Sequence, residues 1–156
     1  MHPKVAHVLV EKSVRFRVLR HADFPEPIET PADFARQLGY DLARITKTLL
    51  IRAPGGSRFA LVVAPMGFRV NFQLLAAAMS VKKVEVASSS DLQDRTGYPK
   101  NGVSPLGVEN VPLFVDNSLL NFETILIGSG ETAVEIEIAP SDLLSLTSAN
   151  PLPLIL

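Results

Sequence analysis

The alternation of apolar and polar residues predicts short strands and short helices along the same chain. Residues 133–138 alternate between apolar side chains and glutamates, which is typical of a strand with one buried face. Phe34 and Leu38, by contrast, are spaced as on one face of a helix. Thr30 precedes that segment as an N-cap and Gly39 follows it as a terminator, so both ends of this helix are predicted as well.

The same reasoning along the whole chain predicts a fold of the α/β class, more narrowly α+β. Helices are expected over residues 3–12, 31–38, 72–79, 90–96 and 140–146. Strands are expected over residues 15–20, 44–53, 58–64, 82–87, 111–115, 124–127 and 133–138. Because several neighbouring strands are joined by hairpin turns, the sheet is expected to be mixed and not doubly wound. The apolar tail, residues 151–156, is expected to pack on its own domain.

Composition narrows the classes of protein to be considered. The chain has 156 residues, of which 47% are hydrophobic, so we expect one folded domain covering residues 1–156. The absence of cysteine excludes disulfides and thiolate metal sites. With 15 basic and 16 acidic residues, the chain does not have the charge of a protein that holds nucleic acid by bulk electrostatics. Neither a signal-peptide pattern nor a membrane-spanning run is evident, so the cytoplasm is the expected location.

The most unusual segment runs from Thr96 to Gly107, where twelve residues include three glycines, two prolines and an asparagine. Proline disrupts both helices and central strands, so this segment is predicted to be a shaped loop. Asn101 and Gly102 tolerate positive φ, and exposed N–H groups here could receive a carbonyl oxygen or a phosphate. The alternative is a surface connection without a function.

Two apparent motifs do not withstand inspection. Residues 128–133 fit the dinucleotide fingerprint G-x-G-x-x-A, but that fingerprint requires a following helix and the next residues alternate as in a strand. A hairpin turn is the better interpretation. Ser104 invites comparison with a serine hydrolase, but the next residue, Pro105, has no N–H for an oxyanion. Ser104 is therefore predicted to brace the loop.

Three isolated polar residues are candidates for a pocket. Lys47 shares a strand face with apolar residues, so its ammonium either reaches a cavity or extends past the sheet edge, and periodicity leaves both open. Asp116 ends an apolar strand, where it either caps a turn or enters the pocket, pairing with Lys47 or binding the substrate. His21 lies in a predicted loop, at a pocket rim or simply in solvent.

Four stretches of the chain have counterparts, in the same order, in one known family. Gly97-Tyr98-Pro99 followed by residues 102–107 is similar to a loop written G-[YF]-x-x-G-G-[VI]-S-P-[FL]-G. Residues 45–49 resemble a strand carrying a lysine, residues 113–116 an apolar strand ending in aspartate, and residues 128–143 a closing hairpin with the last helix. Together they resemble the YbaK/prolyl-tRNA-synthetase editing-domain family. The resemblance implies a mixed, barrel-like sheet flanked by helices.

The resemblance also implies an activity, the hydrolysis of the ester between a wrong amino acid and the 3′ end of a tRNA, chiefly proline tRNA. It identifies Lys47 as the active-site lysine, which would hold the terminal adenosine or its phosphate. Backbone N–H groups around Asn101 and Gly102 would polarise the ester carbonyl. The further residues expected to contribute to substrate binding are His21, Ser104, Pro105 and Asp116.

No metal and no cofactor are expected to take part in this reaction. The chain has no cysteine, and His2 and His7 are not spaced as a metal-binding pair on a helix face. Water, or the substrate's own 2′-hydroxyl or side chain, would attack the ester. The expected partners are the acceptor end of a mischarged tRNA and, as a second candidate, an aminoacyl-tRNA synthetase. No membrane partner is expected, and the sequence leaves the oligomeric state open.

One departure from the family pattern keeps two alternatives open. The family's hydrolytic loop usually reads G-x-x-x-P, and here its first position is Asn101. A non-catalytic module that binds aminoacyl-tRNA or a synthetase is therefore the rival hypothesis. A hydrolase of small aminoacyl esters unrelated to tRNA is another, since the chain lacks a basic stripe.

Overall fold

The structure, a computed structural model, describes residues 1–156 and contains short helices packed around two β-sheets. The helices are α1 Pro3–Glu11, α2 Pro31–Leu38, α3 Phe72–Ala78, α4 Ser89–Thr96 and α5 Pro140–Thr147. The strands are β1 Phe16–Arg20, β2 Thr46–Arg52, β3 Phe59–Pro65, β4 Glu85–Val86, β5 Leu113–Asp116, β6 Ile125–Gly128, β7 Val134–Ile138 and β8 Asn150–Leu152. The predicted mixed α/β class is confirmed.

The strands form two sheets that are not closed into a barrel. One sheet has the order β1-β7-β6 and is antiparallel. The other has the order β4-β2-β3-β5-β8, with antiparallel pairs at β4, β2 and β3 and parallel pairs from β3 to β8. A single bridge between Ile45 and Leu126 joins them. The barrel-like arrangement is therefore only partial, because β4 is too short to cover the outer edge of β2.

Local capping chemistry explains where the helices begin and end. Thr30 and Asp33 form a reciprocal capping box at α2, and Gly39 ends that helix with φ of 68°. α4 begins one residue earlier than predicted because Ser88, and not a later serine, accepts the N–H of Asp91. Both ends of α2 were thus readable from the sequence.

The main core lies where β3 and β5 run through the centre of the larger sheet. Nearly all of β3 is buried, as predicted for a strand that is apolar on both faces. The C-terminal tail completes this core, since β8 pairs with β5 and Leu154 is fully buried. The tail therefore packs on its own domain, as predicted. No helix of the structure has the length and apolar character needed to cross a membrane.

Candidate active site

A cleft of about 380 Å³ opens between the outer edge of β2 and the loop that follows α4. One wall is the segment 45–49, and the opposite wall is the loop segment 100–103. Residues 28–31 at the start of α2 close one end. Gly128 and Glu135, from β6 and β7, complete the lining. The cleft therefore lies where the two sheets diverge.

The backbone of Thr48 faces this cleft because of the register of β2. Alternate residues of an antiparallel pair direct both N–H and C=O to the same side. The C=O of Ile45 accepts from the N–H of Met66 at 2.8 Å, and the N–H of Ala53 donates to the C=O of Arg58 at 2.9 Å. Odd-numbered residues of the strand thus bond to β3. Thr48, between them, directs its N–H and C=O away from β3.

No strand covers the edge of β2 at Thr48. β4 reaches this edge only from Leu50, whose C=O accepts from the N–H of Ala87 at 2.9 Å. β6 reaches it only through the bridge between Ile45 and Leu126. The hydroxyl of Thr48 is also buried without a hydrogen-bond partner. Since Thr48 lines the cleft, its backbone N–H and C=O offer hydrogen-bonding groups to a bound molecule.

Lys47 lines the cleft, in agreement with the hypothesis that its ammonium reaches a cavity. Its Nζ donates to the backbone C=O of Phe68 at 2.9 Å. The side chain forms no ion pair, so the predicted pairing with Asp116 is not present. One backbone contact leaves two of the three ammonium protons free to meet a ligand.

The loop opposite Lys47 has the predicted shape but a different backbone conformation. Neither Asn101 nor Gly102 has positive φ, so the tolerance of positive φ noted for both residues is not used in this loop. Gly102 is instead required by close packing, since a Cβ would lie 2.5 Å from the carbonyl carbon of Glu131. Its C=O also accepts from the N–H of Gly130 at 2.7 Å. The loop is thereby fixed against the β6–β7 turn.

The donors that remain free in this loop differ from those expected. The N–H of Gly102 donates to the C=O of Pro99 at 3.0 Å, so it is already used within the loop. The N–H groups of Asn101 and Val103 donate to no group of the protein, and both residues line the cleft. The N–H groups that the loop leaves free at the cleft are therefore those of Asn101 and Val103, and not that of Gly102.

Ser104 and Pro105 do not line the cleft, although both were expected to contribute to substrate binding. Ser104 is completely buried, and its Oγ accepts from the N–H of Leu106 at 3.1 Å. Pro105 is buried beside it. The prediction that Ser104 braces the loop describes its actual contacts, and the expectation that it touches substrate does not.

Ser104→Ala is expected to lower stability while leaving the hydrolytic site intact. The substitution strands the N–H of Leu106 in a buried position, which costs about 1–3 kcal/mol. We expect urea unfolding to show that loss, whereas the single-turnover rate of deacylation stays within a few-fold of wild type. Trapping of an acyl group on Ser104 during turnover would contradict this assignment.

Asp116 likewise lies away from the cleft and serves the fold. It is 1% exposed, and its Oδ1 accepts from the N–H of Leu154 at 2.8 Å. Its Oδ2 accepts from the N–H of Ser118 at 3.2 Å and from the hydroxyl of the same residue. The alternative of a turn-capping carboxylate is therefore the correct one, with the added function of anchoring the C-terminal tail.

The cleft also contains a carboxylate–imidazole pair, of which only the histidine was predicted as a site residue. His21, in a short 3₁₀ turn after β1, places its Nε2 2.6 Å from Oε2 of Glu135. Each side chain is about 25% exposed. The ring of Phe34 lies 5.0 Å from the imidazole and holds it in place. Burial raises the pKa of the Glu135 carboxyl, and the nearby His21 opposes that shift.

Glu135 was missed because its polar strand face was taken to be solvent-exposed. Its only signal in the sequence is the alternation with apolar residues, which Glu137 shares equally. Glu137 pairs with Arg17 at the surface, at 3.2 Å. The pairing of β1 with β7 brings the end of β1 next to Glu135, since the N–H of His21 donates to the C=O of Ala133.

Glu135→Gln should change how stability depends on pH. Because the pKa of Glu135 is raised in the folded state, the folded protein binds this proton more tightly than the unfolded chain does. The free energy of unfolding of wild type should therefore fall, relative to that of the variant, as the pH rises from the ordinary value of 4.5 through the raised pKa. Urea unfolding of both proteins between about pH 4 and pH 7 measures the difference. Two curves that stay parallel would contradict it.

The comparisons with known proteins identify the family of this chain. A family model described as the aminoacyl-tRNA editing domain matches residues 25–146. The chain belongs to the aminoacyl-tRNA editing-domain family. The matched segment includes the whole of β2, the loop after α4 and the β6–β7 hairpin. The resemblance suggested by the loop is thus confirmed, and the chemistry of the editing domain is deacylation of aminoacyl-tRNA.

Individual relatives of the editing domain support the same assignment. A protein of Enterococcus faecalis, named as a candidate Cys-tRNA(Pro)/Cys-tRNA(Cys) deacylase, is 34% identical over 119 residues, which are 74% of this chain and 71% of that protein. The crystal structure of the hypothetical protein APE2540 superposes with a TM-score of 0.84 at 28% identity, covering 98% of this chain and 99% of the other. A candidate trans-editing enzyme for prolyl-tRNA synthetase has the same fold, with a TM-score of 0.82 at 20% identity and 100% and 99% coverage.

Proposed function

We propose that this editing domain acts in trans, hydrolysing the ester that joins a wrong amino acid to the 3′ end of tRNA(Pro). One observation carries the proposal. A single cleft brings together a lysine with free ammonium protons, two unpaired backbone N–H groups at Asn101 and Val103, and the Glu135 carboxylate. In charge and in hydrogen-bonding type, the N–H groups suit the ester carbonyl, the lysine suits the terminal nucleotide, and the carboxylate suits the α-ammonium group of the amino acid.

The N–H groups of Asn101 and Val103 suit the ester carbonyl. When water attacks the carbonyl carbon, negative charge develops on the carbonyl oxygen, and fixed N–H donors stabilise that charge without reorganisation. The bond from the carbonyl carbon to the ribose oxygen then breaks, and the ribose oxygen takes up a proton. Water supplies both the attacking oxygen and the proton that ends on the ribose oxygen, and the substrate's own 2′-hydroxyl or side chain can relay that proton. No protein nucleophile is required.

Lys47 suits the nucleotide part of the substrate. Its Nζ is held at the cleft by the C=O of Phe68, and its remaining protons can meet the terminal ribose or phosphate. Lys100 lies on the opposite wall of the cleft, so positive charge flanks the path of the acceptor end on both sides. These two lysines would supply local positive charge for the RNA, although the formal net charge of the chain is −1.

The amino acid would lie deeper in the cleft, where carboxylate and backbone acceptors meet its α-ammonium group. Glu135 and the C=O of Thr48 provide those acceptors. Apolar side chains of Ile28, Leu49 and Met66 line the same cavity and fit a small apolar side chain. A separate hydrolytic step is needed to remove wrong amino acids, because one methylene changes the binding of an amino acid to a synthetase pocket by only ~1–3 kcal/mol.

The non-catalytic alternative loses its main support at Asn101. Replacing the family's glycine would disturb the loop if that position required positive φ, but Asn101 does not adopt it. The substitution therefore leaves the backbone donors of the loop in place.

A panel of mischarged tRNAs tests the proposal. Purified protein should release a small amino acid from mischarged tRNA(Pro) faster than from other tRNAs, and a chelator should leave the rate unchanged. Loss of hydrolysis with the chelator, restored by zinc, would contradict the metal-independent mechanism. Binding of the tRNAs without any hydrolysis would favour the non-catalytic module.

A further inference from the structure

Beside the cleft, a short segment exposes large apolar side chains that the site itself does not use. Phe68 is 43% exposed, Phe72 is 37% exposed and the C-terminal Leu156 is 75% exposed. Neither phenylalanine ring is packed against another aromatic ring. We call the segment Phe68–Phe72 the aromatic shelf. Its rings remain available to a partner.

The shelf is connected directly to the catalytic cleft. The C=O of Phe68 accepts from Nζ of Lys47 at 2.9 Å, so the residue carrying the most exposed ring also holds the active-site lysine. Met66, two residues earlier, lines the cleft. The backbone of Phe68 is therefore in direct contact with the ammonium that would hold the terminal nucleotide.

The backbone of the shelf is rigid. The N–H of Leu156 donates to the C=O of Arg69 at 2.9 Å, and the N–H of Asn71 donates to the C=O of Leu154 at 2.7 Å. Val70 bridges to Ile155 between these two bonds. The exposed rings therefore project from a backbone fixed to the C-terminal tail, and little order is lost when they bind a flat partner.

The shelf also carries an unpaired cation. Arg69 is exposed, and its guanidinium forms neither an ion pair nor a hydrogen bond with the protein. Aromatic rings beside arginine are the combination that holds unstacked bases of single-stranded RNA, because the rings stack on bases and arginine reaches the phosphates. A second copy of the chain fits less well, since a two-fold contact over this segment would bring the cationic Arg69 and Lys47 of both copies into one interface.

We propose that the ring of Phe68 stacks on a base of the single-stranded 3′ end of the tRNA, next to the terminal nucleotide held in the cleft. This inference rests on the proposed function, because the cleft must first hold the terminal nucleotide. It also addresses how a chain with a formal net charge of −1 holds RNA, since stacking does not depend on bulk charge.

Binding of an RNA hairpin that carries no amino acid tests the stacking separately from hydrolysis. Two hairpins are compared by fluorescence anisotropy, one ending in the single-stranded tail CCA and one with that tail removed. Phe68→Ala should weaken binding of the tailed hairpin about 5- to 100-fold, as expected for loss of one stacked base. Phe68→Tyr should retain most of the affinity. Val10→Ala, which truncates an exposed apolar side chain on α1, is the matched control and should bind as wild type does.

Kinetics give a second readout of the same contact. The ratio of kcat/KM for mischarged tRNA to kcat/KM for the minimal substrate aminoacyl-adenosine should fall in Phe68→Ala, because only the tRNA has a base to stack. Thermal melting of each variant verifies folding, which an exposed ring should not control.

Several outcomes would overturn the inference. These are an unchanged affinity of Phe68→Ala for the tailed hairpin, an equal loss on the tailless hairpin, or a dimer of wild type that Phe68→Ala abolishes. Failure of the proposed function is distinguishable from these. Wild type that binds the tail through Phe68 but hydrolyses no ester would support the stacking and contradict the deacylase.

Discussion

Replacing Lys47 with alanine is expected to reduce single-turnover deacylation by about 100-fold or more, since misplacing a bound substrate by ~1 Å costs about that much. In the proposed function the ammonium would contact the terminal ribose or phosphate, and alanine leaves no donor at that position. The melting temperature should change little. The side chain is only partly buried, and its bond to the C=O of Phe68 can be replaced by water.

Two further variants make the Lys47 test specific. Lys47→Arg should rescue the rate poorly, because a planar guanidinium does not replace a compact ammonium in a narrow cleft. Lys82→Ala removes an exposed lysine that does not line the cleft and should leave the rate unchanged. An undiminished rate in Lys47→Ala would refute the assignment. A collapse of its melting temperature together with its activity would instead identify Lys47 as a structural residue.

The features that the sequence predicted well are those decided by neighbouring residues. α2 illustrates this, because its capping box and its terminal Gly39 depend on side chains within one turn of the helix ends. The β6–β7 hairpin was predicted from alternation alone, and the G-x-G-x-x-A segment was correctly assigned to a turn for the same reason. Lys47 is different, since periodicity left a cavity and the sheet edge equally open and only the family resemblance favoured the cleft that Lys47 lines.

The features that the sequence did not reveal depend on which distant segments meet. Asp116 and Glu135 are both carboxylates adjoining apolar strand residues, so their local patterns are alike. Only the tertiary fold separates them, directing Asp116 to the C-terminal tail and Glu135 to His21 in the cleft. In the same way, Ser104 was expected to contribute to substrate binding, but the whole loop from residue 102 to 106 is buried.

Glycine positions show the same limit in a different form. In the sequence, Gly102 was noted for its tolerance of positive φ, which glycine adopts at low cost. The structure requires glycine there for the close approach of Glu131, a contact made across the β6–β7 turn. Requirements of this kind involve two segments that only folding brings together. The sequence shows where glycines occur, but it does not show which segment of the chain packs against each of them.

Gly128 is the position where such an approach is tightest, so Gly128→Ala is expected to have the largest effect on stability. A Cβ added there would lie 1.8 Å from the carbonyl oxygen of Val103. Backbone atoms on both sides must then move, since no side chain can rotate away. Because overpacking of a well-packed interior costs typically 1–3 kcal/mol and occasionally more, we expect a loss of roughly 3 kcal/mol or more in the free energy of unfolding.

The same substitution should also abolish deacylation in whatever fraction remains folded. Val103 provides one of the two free N–H donors that the loop presents to the cleft, and relief of the clash must displace its peptide groups. Gly39→Ala is the matched control. Gly39 has φ of 68° but nothing within 4 Å of an added Cβ, so its cost is conformational only, about 1–2 kcal/mol, and its activity should persist. Urea unfolding and single-turnover hydrolysis of the two variants separate strain at one residue from contact between two segments. Equal stability losses in the two variants, with activity retained in both, would show that the loop and the β6–β7 hairpin are not packed as closely as the site requires.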